Sequence, residues 1–236
     1  MRLFLGLLFS ISVQAQTSWI LGGWTEPAGS PAARTVVALM DRDHVEYCAG
    51  TLVASNWILT AAHCVIGETE IYFKNAGRVF GRATTRIVHP NYRGEAKQWS
   101  ILPTWDIALV SFSGHLPKDM RIAQIVGEST PLKLGQSFLL SGYGQGSNST
   151  ESPDTTILQV FQSIPKSNVI VLKTMPSHGI CYGDSGGPAY NFSGQQILVY
   201  GIASHFVGEP TVDCSNNILY TDLRRLRDWI TRHIRR

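Results

Sequence analysis

Hydrophobic residues along this chain occur in short runs, many of them β-branched, which are separated by Gly, Pro, Asn and Ser. Short runs bounded by turn-forming residues are typical of β-strands. We predict about ten strands, at residues 35–40, 51–59, 70–74, 86–89, 107–112, 137–141, 157–161, 169–173, 196–204 and 218–221. Because no long helical pattern separates them, the sequence indicates an all-β barrel or sandwich and not a parallel sheet covered by helices.

One helix is predicted, at the C-terminus. Apolar residues recur there near the 3.6-residue helical period, with arginines on the other face, at Leu223, Leu226, Trp229 or Ile230, and Ile234. We expect a docked helix at about 223–235 whose basic face is in solvent. Residues 114–121, which contain Pro117, are the best candidate for a linker between two halves of the chain.

Composition and charge narrow the possible functions. The chain has 236 residues, of which 44% are hydrophobic and 16% charged, so it can bury a full core and is not disordered. Its net charge is +3, but residues 224–236 alone contain six Arg and one Asp, so the rest of the chain carries −2. Binding to nucleic acid requires a basic face across the domain, and we therefore expect no nucleic-acid partner.

The first residues have the layout of a signal peptide. A basic residue, Arg2, precedes an apolar run at 3–13, and Ala15 is a small residue suited to cleavage. The alternative, a buried N-terminal strand, fits poorly because the run is rich in Leu and Phe and is terminal. No segment reaches about 18 consecutive apolar residues. We expect a signal peptide at 1–15 and a secreted or periplasmic protein without membrane contact.

Four cysteines become informative if the protein is exported. They can pair in three ways, and an oxidising compartment makes disulfides the expected state. Cys48 and Cys64 are 16 residues apart, and Cys181 and Cys214 are 33 apart. There is no C-x-x-C motif and no histidine tract, so we expect two disulfides and no metal.

Three short motifs contain the residues of a nucleophilic hydrolase. They are LTAAHC at 59–64, WDIAL at 105–109 and GDSGGP at 183–188. A serine hydroxyl needs an imidazole to take its proton, and the imidazole needs a carboxylate to fix its tautomer. Glycines beside the serine allow a tight turn that directs N–H groups at a developing oxyanion. The third motif also fits the G-x-S-x-G elbow of α/β-hydrolases, but that fold requires a helix after the serine and a histidine downstream, and Pro188 follows here.

With these motifs the chain resembles the chymotrypsin/trypsin family of serine proteases. The resemblance extends from ILGG at 20–23 to DWI at 228–230, with the three motifs in the family's order. It implies two antiparallel six-stranded β-barrels followed by a C-terminal α-helix. The peptidase domain would comprise 20–236, with barrel one at about 30–115, barrel two at about 122–222 and the helix at about 223–235.

The resemblance also assigns roles to residues. His63 would be the general base, Asp106 its orienting carboxylate and Ser185 the nucleophile. The backbone N–H groups of Gly183 and Ser185 would form the oxyanion hole, and Ser204 would donate a hydrogen bond to the catalytic carboxylate. The implied disulfides are Cys48–Cys64 and Cys181–Cys214. The implied activity is that of a serine endopeptidase acting on protein or peptide substrates, as a monomer and without a cofactor.

Activation is a further implication of the resemblance. Cleavage before Ile20 would free an amine that pairs with Asp184, which makes 16–19 a very short pro-segment and the protein a zymogen. Trp19, and not Arg or Lys, precedes the cut, so a separate activating protease without trypsin-type specificity is expected. Calcium is not expected, because residues 71–94 contain no Asp or Glu.

The substrate pocket departs from that of trypsin. Gly179 occupies the position where an Asp selects Arg or Lys, so a basic side chain would be buried without a partner. The resemblance places Ile180, Phe206 and Ile218 around Gly179 and Ser204, and their apolar bulk predicts a preference for small apolar residues. The alternative is that the loop carrying Phe206 swings outward and leaves a deep apolar slot. The alternative to an enzyme is a catalytically silent binding protein on a protease scaffold, with the basic helix as its contact surface.

Overall fold

Strands make up nearly all of the regular structure. The structure is a computed structural model, and it describes residues 20, 22–94, 105–144, 152–174, 178–193, 196–207, 214 and 216–235. The predicted signal peptide and pro-segment lie outside these residues. The strands are β1 (Trp24–Thr25), β2 (Val36–Met40), β3 (Glu46–Ala54), β4 (Trp57–Thr60), β5 (Tyr72–Asn75), β6 (Arg78–Val88), β7 (Ala108–Gly114), β8 (Gln124–Ile125), β9 (Ser137–Gly142), β10 (Asp154–Ile164), β11 (Val169–Lys173), β12 (Pro188–Ser193), β13 (Gln196–Phe206) and β14 (Ile218–Asp222).

Barrel one is a closed antiparallel sheet with the strand order β2-β3-β4-β7-β6-β5. Strands β2 and β4 are buried along their whole length. The sequence prediction of one strand at 51–59 is wrong, because Ala54 pairs with Trp57 across a two-residue turn and divides the segment between β3 and β4. Two residues with turn propensity, Ser55 and Asn56, separate the two strands at that point.

Barrel two has the order β10-β11-β14-β13-β12-β9 and is closed by the pairing of β9 with β10. Two short strands are added to it: β1 pairs with β10, and β8 runs parallel to β13. The predicted class, two six-stranded antiparallel barrels with a C-terminal helix, is confirmed. One core cluster includes Leu59 and Leu109 of barrel one together with Tyr190 and Ile202 of barrel two, so apolar packing joins the barrels.

The C-terminal helix, α1, comprises Arg227–Ile234 and buries Trp229 and Ile230. It begins later than the helical period indicates. The carboxylate of Asp222 accepts the backbone N–H of Arg224 at 3.0 Å, which stabilises a turn before the helix. No helix in the described part of the chain is long and apolar enough to span a membrane.

Candidate active site

His63 and Asp106 lie together because of strand register in barrel one. Thr60, the last residue of β4, pairs with Ala108, the first residue of β7. His63 follows β4 by three residues and Asp106 precedes β7 by two, so both emerge at the same edge of the barrel. Nδ1 of His63 lies 2.8 Å from Oδ2 of Asp106, and the backbone N–H of His63 donates to Oδ1 at 3.0 Å.

Asp106 is the most constrained of the predicted site residues. Its side chain is almost fully buried, and it accepts a hydrogen bond from the hydroxyl of Ser204 on β13 at 2.7 Å. Burial alone would raise the pKa of Asp106, but the hydrogen bonds from His63 and Ser204 and the charge of His63 hold that pKa below its usual value. Asp106 is therefore ionised, and both barrels orient it.

Ser185 reaches the same place on a loop of barrel two. Its carbonyl oxygen accepts the backbone N–H of Ala49 in β3 at 2.8 Å. That oxygen lies 3.6 Å from Sγ of Cys64, and the same sulfur lies 3.6 Å from Nε2 of His63. The structure therefore places Ser185 and His63 against one shared sulfur atom, at the interface of the barrels.

Two glycines give the Ser185 loop its shape. Gly183 has φ of +92° and Gly186 has φ of +79°, in the left-handed region that favours glycine. A Cβ on Gly186 would lie 2.2 Å from Oγ1 of Thr60, so only glycine allows the loop to pack this closely on barrel one. Within the described ranges, the backbone N–H groups of Gly183 and Ser185 have no hydrogen-bond acceptor.

Both disulfides implied by the resemblance are present, Cys48–Cys64 in barrel one and Cys181–Cys214 in barrel two. Ligand atoms of Cys48, His63 and Cys64 lie within 4.8 Å of one another. Two of these atoms are the bonded sulfurs of one disulfide, so they do not form a thiolate metal site. The first disulfide instead ties the segment that carries His63 to β3.

Asp184, the neighbour of the predicted nucleophile, is fully buried. Its two carboxyl oxygens accept the backbone N–H groups of Gly144 and Cys181, each at 3.0 Å. Burial raises the pKa of Asp184 to about 7, although these two hydrogen bonds act in the opposite direction. Ile20 is also fully buried, in the core cluster of barrel two.

The predicted pocket residues are placed close together in barrel two. Ile180 and Ile218 lie in its core cluster, and Phe206 packs against that cluster. Phe206 pairs with Ile218 across β13 and β14. A Cβ on Gly179 would lie 3.0 Å from the carbonyl oxygen of Cys214, so the space around Gly179 is small.

Three residues near the site were given no role there by the sequence reasoning. The ring of Tyr182 lies 6.2 Å from that of Phe206 in an edge-on arrangement. Trp105, with φ of +42°, stacks on His89 at 4.6 Å immediately before Asp106. His205 places Nδ1 3.0 Å from the hydroxyl oxygen of Ser204. Each is adjacent in sequence to a predicted site residue or to its motif, and that adjacency was the only available signal.

The fold and this arrangement together define a class, the two-barrel serine proteases. Comparison with known proteins gives the family: the trypsin family model matches residues 20–230. The chain is 29% identical to trypsin II-P29 of Gallus gallus over 248 residues, covering 96% of this chain and 93% of that protein. It is 28% identical to brachyurin of Leptuca pugilator over 209 residues, covering 80% and 88%, and 26% identical to trypsin of Sus scrofa over 238 residues, covering 91% and 95%. The chain belongs to the trypsin family and is a serine endopeptidase.

Proposed function

We propose that the enzyme cleaves peptide bonds through an acyl-enzyme on Ser185, with His63 as general base and Asp106 as its orienting carboxylate. Oγ of Ser185 attacks the peptide carbonyl carbon, and its proton moves to Nε2 of His63 and then to the leaving amine. Water activated by His63 hydrolyses the ester. The N–H groups of Gly183 and Ser185 are the donors available to the oxyanion.

The main support for this proposal is the 2.8 Å contact between Nδ1 of His63 and Oδ2 of Asp106. An ionised, buried Asp106 requires a proton on Nδ1 of His63, because a carboxylate can only accept. In a neutral imidazole this leaves Nε2 as the basic nitrogen, and Nε2 lies on the side of Cys64 and Ser185. The tautomer is therefore the one that a general base needs.

Labelling with a fluorophosphonate tests the proposal against a silent binding protein on the same scaffold. The enzyme cleaved before Ile20 should incorporate one label per chain, and peptide mapping should find the label on Ser185. Prior substitution His63→Ala should suppress labelling. An N-terminally processed, folded protein that takes up no label would contradict the proposal and favour the binding protein.

We propose further that the enzyme prefers small apolar residues before the cleaved bond. Gly179 supplies no carboxylate to receive Arg or Lys, and a Cβ there would lie 3.0 Å from the carbonyl oxygen of Cys214 and 3.4 Å from Cγ2 of Thr174. The apolar side chains of Ile180, Ile218 and Phe206 belong to the adjoining core cluster or pack against it, which supports a small apolar pocket. Comparing kcat/KM on matched substrates ending in Ala, Val, Phe and Arg tests this. Arg as the preferred residue would overturn the charge argument, and Phe as the preferred residue would overturn the steric argument alone.

We also propose that the protein is exported as a zymogen, to the outside or the periplasm, and acts there as a monomer. The two disulfides are consistent with an oxidising compartment. A freed Ile20 amine would supply a positive charge to the buried Asp184. N-terminal sequencing of active enzyme should read Ile-Leu-Gly-Gly after cleavage by another protease. Full activity with Gln16 still attached would contradict the zymogen proposal.

A further inference from the structure

A second histidine is connected to the catalytic carboxylate through one hydroxyl group. Oγ of Ser204 lies 2.7 Å from Oδ2 of Asp106 and 3.0 Å from Nδ1 of His205. Asp106 is in turn bonded to Nδ1 of His63. Two imidazoles therefore flank the carboxylate, one in direct contact and one through Ser204.

A local irregularity of strand β13 makes this contact possible. Adjacent residues of a regular strand point to opposite faces, so the side chains of Ser204 and His205 would not normally meet. Here Ala203 pairs with Tyr220 and His205 pairs with Leu219, so Ser204 is an extra residue without a partner on β14. Such a bulge redirects side chains locally, and bulges of this kind are common beside active sites.

Counting protons determines the direction of the hydrogen bonds. The hydroxyl of Ser204 has one proton, and an ionised Asp106 can only accept, so that proton lies between Ser204 and Asp106. Oγ of Ser204 then faces His205 with a lone pair. A contact of 3.0 Å between Oγ and Nδ1 is favourable only if Nδ1 carries a proton and donates it to Oγ.

We infer that His205 is a positioning residue that acts on Asp106 through Ser204, by donating from Nδ1 to the hydroxyl oxygen and so keeping the hydroxyl proton directed at the carboxylate. A hydroxyl that accepts one hydrogen bond donates a stronger one, because bonds in a chain polarise each other. Asp106 is thereby held in the orientation that His63 needs. This inference rests on the proposed role of Asp106.

The test compares four variants with the wild-type processed enzyme, using one ester substrate and fluorophosphonate titration to count active sites. His205→Asn retains an N–H donor near the position of Nδ1, whereas His205→Gln places its amide nearer the position of Nε2. His205→Phe removes the donor, and Ser204→Ala removes the link to Asp106. We expect His205→Phe and His205→Gln to lower kcat about tenfold with little change in KM, and His205→Asn to restore most of it.

The double variant Ser204→Ala/His205→Phe separates action through Ser204 from a general packing role. If His205 acts through Ser204, the double variant should be no slower than Ser204→Ala alone. An equal loss from His205→Phe in both backgrounds, or failure of His205→Asn to exceed His205→Gln, would overturn the inference. If His205→Phe does not fold, the comparison of kcat between His205→Asn and His205→Gln still tests the inference. If the wild-type enzyme itself takes up no label, it is the proposed function that fails.

Discussion

The two barrels contribute to the active site in different ways. Barrel one brings His63 and Asp106 together by strand register, and the two residues are in direct hydrogen-bond contact. Barrel two presents Ser185 on a loop that contains a buried carboxyl, Asp184, hydrogen-bonded to the backbone of Gly144 and Cys181, and a glycine with positive φ, Gly183. His63 and Asp106 therefore lie within three residues of two paired strand ends, whereas Ser185 lies in the loop that precedes β12.

Under the zymogen proposal, this difference indicates where control of activity would lie. The His63–Asp106 contact follows from the pairing of β4 with β7, which lies within the closed sheet of barrel one. The Ser185 loop contains the buried carboxyl of Asp184, whose pKa is raised to about 7 by burial. A positive charge brought to Asp184 would favour its ionised form and stabilise the loop, which is the kind of change that cleavage can supply.

Replacing the reacting residues should give the largest effect. Ser185→Ala should lower kcat by about 10⁴ to 10⁶, because the attacking group is lost. His63→Ala and Asp106→Asn should also lower kcat severely. Combining these substitutions should lower it little further, because Ser185, His63 and Asp106 act as a unit. Tm should be unchanged in Ser185→Ala, since this residue contacts its neighbours through its backbone. More than a few per cent of residual activity in pure protein would contradict the assignment.

Asp184→Ala should lower kcat/KM of the processed enzyme by at least about 100-fold, because a small displacement of the nucleophile is enough for such a loss. The substitution leaves the N–H groups of Gly144 and Cys181 without their acceptor. Asp222→Ala is the matched control, as another buried carboxylate of barrel two. The same kcat/KM in the Asp184 and Asp222 variants would show that the loop does not depend on Asp184.

Phe206→Ala should change specificity without changing the reactivity of Ser185. We expect kcat/KM for a substrate with Phe before the cleaved bond to rise about 10- to 100-fold, as a change in pocket volume permits. The rate of fluorophosphonate labelling should stay the same. Phe161→Ala, at an exposed position of β10 in the same barrel, is the control. A parallel loss on all substrates would mean that Phe206 supports the fold and not the pocket.

The smallest expected effect is an acid-dependent loss of stability in the region where α1 meets barrel one. His89 stacks on Trp105 and contacts Trp229 of α1, and burial together with the nearby His233 lowers its pKa. A lowered histidine pKa means that the unfolded chain binds more protons, so stability is full above about pH 6.5 and is lost as pH falls through the folded pKa. Between pH 7.5 and 5 the Tm of Ser185→Ala should fall by roughly 2 °C more than that of Ser185→Ala/His89→Phe. An equal fall in both would contradict a role for His89.

Local sequence predicted the structure best where one strand is bounded by turn residues. The segment at 169–173 is β11 as predicted, and the segments at 137–141 and 218–221 differ from β9 and β14 by one residue. The prediction of one strand at 51–59 failed because apolar residues stand on both sides of a two-residue turn. Hydrophobicity alone does not show where a chain reverses. The short strands β1 and β8 were missed for a related reason, since two residues are too few to show a period.

The candidate site divides in the same way. Sequence motifs and the family resemblance singled out His63, Asp106, Ser185 and the glycines beside the serine, because nucleophilic chemistry needs these residue types in recognisable local contexts. The link from His205 through Ser204 to Asp106 and the stack of Trp105 on His89 required the folded chain. The first of these contacts depends on a bulge in β13, and both bring together residues that are far apart in the sequence. Such contacts depend on the closure of the two barrels, and a one-dimensional pattern does not record which distant side chains that closure brings together.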